Sequence, residues 1–119
     1  MPRPDSFKLW KERQRKRKKA IRARAKAKEA EEERDFWEWV SDLAYTEYKK
    51  AYQAWKAEPS RATQQALDKA RRDYEKEREK YRKAIDELDR VRDSANKAER
   101  EADEADSNYQ KAKLASLKF

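Results

Sequence analysis

Glycine, cysteine and histidine are all absent from this sequence of 119 residues, and proline occurs three times. Without glycine the chain lacks the easiest route to left-handed turns, which argues against strands joined by tight hairpins. The same absence leaves out phosphate-cradling loops, dinucleotide fingerprints and calcium-binding loops. Missing cysteine removes disulfides, thiolate nucleophiles and thiolate metal sites. Missing histidine removes the usual general base and the commonest metal ligand. No apolar run reaches the ~20 residues that a bilayer crossing needs, and the N-terminus has no apolar core of a secretory signal. These absences predict a protein with no catalysis, cofactor, metal or membrane span, placed inside the cell or within a particle.

Charge fills the space that is left. Nearly half of the residues (49%) are Asp, Glu, Lys or Arg, the net charge is +8, and hydrophobic residues make up 36%. That apolar content is too thin for a globular core, so stability must come from a seam along helices or from partners. Heavy use of Ala, Glu, Lys and Arg with a helical period points to long helices or a coiled coil.

The seam is explicit in the second half. Alternating steps of three and four from Ser60 reach Thr63, Leu67, Ala70, Tyr74, Glu77, Tyr81, Ala84, Leu88, Val91, Ala95, Ala98, Ala102, Ala105, Tyr109, Ala112, Ser116 and Phe119. A stripe repeating every 3.5 residues belongs to a helix committed to another helix. The first half carries a matching seam, read backwards from Trp55 through Ala51, Tyr48, Ala44, Ser41, Trp37, Arg34, Ala30, Ala27 and Ala23 to Ala20. Between them, Glu58-Pro59-Ser60 is the one convincing break, since proline disfavours helix at the residue before it and tolerates a helix start. Ser60, Thr63 and Gln64 then mark the N-terminus of a second helix.

Folding the chain at Pro59 brings the two seams into phase, and facing residues sum to 118. Large then meets small: Ala51 with Leu67, Tyr48 with Ala70, Ala44 with Tyr74, Ala30 with Leu88 and Ala27 with Val91. Such alternation avoids both voids and clashes. Facing alanines, Ala23 with Ala95 and Ala20 with Ala98, permit close backbone approach. Charge favours the same register, because acidic residues 99–106 lie opposite basic residues 12–19, and Lys80, Arg82 and Lys83 lie opposite acidic residues 31–35. The predicted fold is all-α, an elongated antiparallel coiled-coil hairpin. Its parts are a basic N-terminal arm (residues 1–28), an extended lead-in at 1–5, helix one to about 57, a turn at 58–60 and helix two at 60–119.

The arm carries the strongest functional signal. Between residues 11 and 28 stand eleven cations, Lys11, Arg13, Arg15, Lys16, Arg17, Lys18, Lys19, Arg22, Arg24, Lys26 and Lys28, against Glu12 alone. They suit nucleic acid phosphates, DNA or RNA, held with release of counterions and little base reading. A competing use is to neutralise the acidic end of helix two. Residues 12–24 net +7 and residues 94–106 net −3, so about four positive charges remain even if every pair forms.

A second signal is aromatic. Trp37, Ala44, Tyr48, Ala51 and Trp55 point along the seam, whereas Phe36, Trp39 and Leu43 share another flank that nothing in the hairpin covers. Uncovered large apolar groups mark interfaces, and Trp is enriched where partners bind. Leu114, Leu117 and Phe119 form a smaller apolar end, with Phe7, Leu9 and Trp10 available to pack on it. Carboxylates are numerous, but a thin hairpin has no water-excluded pocket to perturb them. The sequence therefore predicts a structural or accessory subunit of a nucleoprotein assembly, virion-like or ribosome-like, with a protein neighbour or a second copy on the aromatic flank. The alternative is a protein-only coiled-coil adaptor whose basic arm engages an acidic partner.

Overall fold

Two α-helices, α1 (Pro4–Ala57) and α2 (Arg61–Leu117), make up an antiparallel helical hairpin. The computed structural model describes residues 4–117, with side chains from Ser6 onward. Part of the expected extended lead-in, Met1 to Arg3, lies outside the described residues, as does the seam position Phe119. Pro4 and Asp5 are already helical, so the lead-in is shorter than the sequence suggested. Proline fits there because the first turn of a helix has no intrahelical use for the missing N–H. The basic segment belongs to α1 without a break.

The turn is built by local hydrogen bonds. Ser60 caps α2: its Oγ accepts from the Thr63 backbone N–H at 3.1 Å, while the Ser60 N–H donates to Thr63 Oγ1 at 2.8 Å. This reciprocal pair satisfies donors that a helix start leaves without partners. The Thr63 hydroxyl reaches the Glu58 carbonyl oxygen at 3.0 Å, and the Glu58 N–H closes the last bond of α1 on the Ala54 oxygen at 3.0 Å. With Pro59 unable to donate, the reversal needs no left-handed residue, and this is how a chain without glycine turns a corner.

The described part of the chain divides into two compact units, one of residues Ala30–Leu88 and one of the stretches before Ala30 and after Leu88. In the first, Leu67 and Leu88 are buried on the seam, Leu88 with only 1% of its surface exposed. Ala30, across from Leu88, is buried as well, so the large-against-small alternation holds. Tyr74 lies 5.3 Å from Tyr45 and 5.9 Å from Tyr48, ring to ring, one residue and one helical turn after its expected partner Ala44. In the second unit Ala20, Ala98 and Ala102 form a buried cluster with Ala23 packed against it. Ala95 and Ala105 are buried beside them.

Seam positions from Thr63 to Ser116, and from Ala20 to Trp55, are all buried or half-buried. Ser60 is exposed, as its capping role allows. The α1 seam also runs on past Ala20, through half-buried Lys16, Arg13 and Leu9 to buried Ser6. The two positions beyond Ala20 are charged, which hides this continuation in the sequence.

Candidate functional site

A helix turns 100° per residue, so cations packed densely on α1 cannot share one environment. The structure sorts the eleven into inward and outward groups. Arg13 and Lys16 occupy seam positions. The Arg13 guanidinium sits 5.0 Å from the centre of the Tyr109 ring, and its Nε lies 2.5 Å from Asp106 Oδ1. That buried Nε makes no hydrogen bond, so its tie to Asp106 is attraction between charges. Lys16 donates to Glu101 Oε2 at 3.2 Å, and Lys19 reaches the same oxygen at 3.9 Å. The hydrogen bond and charge of Lys16, and then Lys19 and Lys97 nearby, hold the Glu101 carboxyl below the usual glutamate range. Arg17 lies 3.5 Å from Asp106, and Arg24 pairs with Glu99. Acidic residues 99–106 therefore meet the basic segment where the register places them.

Opposite the seam, Lys11, Arg15, Lys18, Arg22 and Lys26 follow one another at steps of three or four, and all are exposed. Arg15 is held by Glu12 at 2.8 Å, and Lys11 sits 4.7 Å over the Phe7 ring. Lys18, Arg22, Lys26 and Lys28 have no ion-pair partner among the described residues. The arm thus has two jobs in one stretch: one set of cations ties α1 to α2, and another faces solvent.

Within residues 30–88, Phe36, Trp39 and Leu43 are each about half exposed, Trp39 the most at 59%. Phe36 holds Trp39 at 6.4 Å and the edge of the inward Trp37 at 5.0 Å, so the flank is a contiguous aromatic surface. Trp37 itself is half-buried under Lys80, whose ammonium lies 4.9 Å from its ring. Lys80 also pairs with Glu77 at 3.6 Å, and Arg34 with Asp35 at 2.8 Å. The hydrogen bond to Asp35 raises the already high pKa of Arg34. Lys80, Lys83 and Glu33 line one shallow depression, so the basic and acidic stretches expected to face each other do so. Tyr45 and Tyr52 are also substantially exposed.

At the terminal apolar cluster, Phe7 and Trp10 stack on each other at 6.2 Å. Together with Ser6, Tyr109, Lys113 and Ser116 they line an open cavity of about 390 Å³. Leu114 and Leu117 are not covered by this packing and remain mostly exposed, contrary to the expected closure of that end. Among the described residues no cluster of three metal-ligating side chains exists, and no helix is long and apolar enough to cross a membrane. Comparison with protein-family models, curated proteins and solved structures finds no match to this chain.

Proposed function

We propose that the chain is a non-enzymatic accessory subunit of a nucleoprotein assembly, holding nucleic acid phosphates on the outward cations of α1 and a protein neighbour on Phe36, Trp39 and Leu43. One observation carries this reading: Lys18, Arg22, Lys26 and Lys28 stand exposed and unneutralised while the facing carboxylates of α2 are taken by other cations. A row of unpaired cations on a pre-formed helix gains by releasing the counterions condensed on a polyanion. The lack of histidine, cysteine and glycine supports a binding role over a catalytic one.

The test is a salt titration of binding to a labelled oligonucleotide. Changing Lys18, Arg22 and Lys26 together to Gln should weaken binding and flatten the dependence of log affinity on log salt. The slope should fall by slightly under one unit for each phosphate that is no longer neutralised. Binding that is absent at low salt, or indifferent to the three changes, refutes the reading. The adaptor reading draws on a different observation, namely that Arg13, Lys16, Lys19 and Arg24 already take carboxylate partners. Under that reading, protein purified from its native source carries an acidic protein and no nuclease-sensitive absorbance at 260 nm.

A further inference from the structure

We infer that nucleic acid is held by both helices along one side of the unit that contains the basic segment, with Arg90 and Lys97 of α2 joining the cations of α1; this rests on the phosphate-binding reading above. The ion pairs between α1 and α2 show that this unit has two unlike sides. On one side of the seam Arg24 meets Glu99, and Arg17 meets Asp106. On the other, Lys16 and Lys19 share the single carboxylate of Glu101. Lys97, one helical turn before Glu101, acts on that carboxylate as well. Three ammonium groups about one carboxylate leave positive charge uncompensated there.

Helical spacing extends this side along both helices. Steps of three and four carry it on α1 from Lys19 to Arg22 and Lys26, and on α2 from Glu101 back to Lys97, Ser94 and Arg90. All of these except Glu101 are exposed. Five cations therefore share the side with one carboxylate; Glu29 bounds the stretch on α1, and Glu104 bounds it beyond Glu101 on α2. The opposite side of the same stretch is nearly balanced, with Arg24, Lys28 and Arg92 against Glu99 and Asp103. The α2 contribution is also patterned. Every seventh residue from Lys69 through Lys76, Lys83 and Arg90 to Lys97 is an exposed cation, and the last two fall in this unit. A seven-residue repeat holds one angular position beside a 3.5-residue seam, so these charges keep to one side instead of scattering around α2.

Like charges three and four residues apart repel, as Lys19, Arg22 and Lys26 do. A phosphate backbone relieves that repulsion and gives up condensed counterions for each charge it meets. The carboxylates that would oppose it most, Glu99, Asp103 and Asp106, lie on the opposite side. On the lysine side a polyanion meets Glu101, which Lys16 already engages through a hydrogen bond.

The chain has no cysteine, so a single introduced one can carry a photo-crosslinker. Ser94→Cys places it on the proposed side and Asn96→Cys on the opposite side, at positions that are both exposed. With a labelled oligonucleotide at low salt, the Ser94→Cys protein should cross-link severalfold more than the Asn96→Cys protein. In fluorescence anisotropy, Lys97→Gln should weaken binding severalfold and lower the slope of log affinity against log salt by slightly under one unit. Arg92→Gln removes the same charge from the opposite side and should do clearly less, with helicity by circular dichroism unchanged in both. Equal or stronger cross-linking from Asn96→Cys, or a Lys97→Gln protein that binds no worse than Arg92→Gln, overturns the two-helix assignment. The phosphate reading then stands as long as Lys18, Arg22 and Lys26 still carry the binding. Failure to bind at low salt overturns both.

Discussion

Leu88 shows how little apolar material this seam runs on. It is the largest fully buried side chain among the described residues, and the residue opposite it, Ala30, is buried too. Leu88→Ala should cost about 2–5 kcal/mol of stability, since a cavity in a two-helix seam adds to the lost transfer energy. In the alanine cluster the sign of the defect reverses: Ala98→Leu overfills a close approach and should cost about 1–3 kcal/mol. Thermal melts followed by circular dichroism check both. Glu101 contributes in a pH-dependent way. Its folded pKa lies below the ordinary glutamate value because Lys16 bonds the charged form, so its contribution is present above that ordinary value and is lost as pH falls through the lowered one. Glu101→Gln should therefore lower the melting temperature at neutral pH, and the two proteins should converge as pH drops well below about 4.3. A difference that persists unchanged in acid would assign the effect to packing.

Among the elements, the turn is the one place where stability depends on a few polar atoms. Ser60→Ala removes the acceptor for the Thr63 N–H and should destabilise by about 1 kcal/mol, again read from a melt; Ser60→Asn should restore most of the loss. The two helices, their break and their register were legible in the sequence because a 3.5-residue repeat of Ala, Leu and Tyr has few competing explanations. Residues such as Ala44, Tyr74 and Leu88 announce which face they use. Arg13 and Lys16 do not. A charged residue reads as solvent-facing unless its partner is known, and Asp106 and Glu101 lie 93 and 85 residues away in sequence. The step of three and four continuing through Lys16, Arg13, Leu9 and Ser6 was the available signal. The split of the basic segment into paired and unpaired cations was hidden for the same reason, because composition counts charges without saying which carboxylate each one meets. Leu114 and Leu117 went the other way: apolar composition suggested closure, but their positions fall off the seam.

For the molecule as a whole, the aromatic flank and the cationic face are separable. Replacing Phe36, Trp39 and Leu43 together with Gln removes no seam residue, so helicity and melting temperature should hold. Full burial of each large apolar side chain is worth roughly 1.5–3 kcal/mol, so assembly or partner capture, measured by sedimentation, should fall while nucleic acid binding persists. Unchanged assembly would mean that these side chains are surface residues without a partner. The order in which the chain is made bears on the ion pairs between α1 and α2. Lys16 and Glu101 are 85 residues apart, and at about 5–20 residues per second of synthesis the lysine precedes its carboxylate by roughly 4–17 s. For that interval Arg13, Lys16, Arg17, Lys19 and Arg24 stand without their α2 carboxylates, so a polyanion at the ribosome competes with intramolecular partners that do not yet exist.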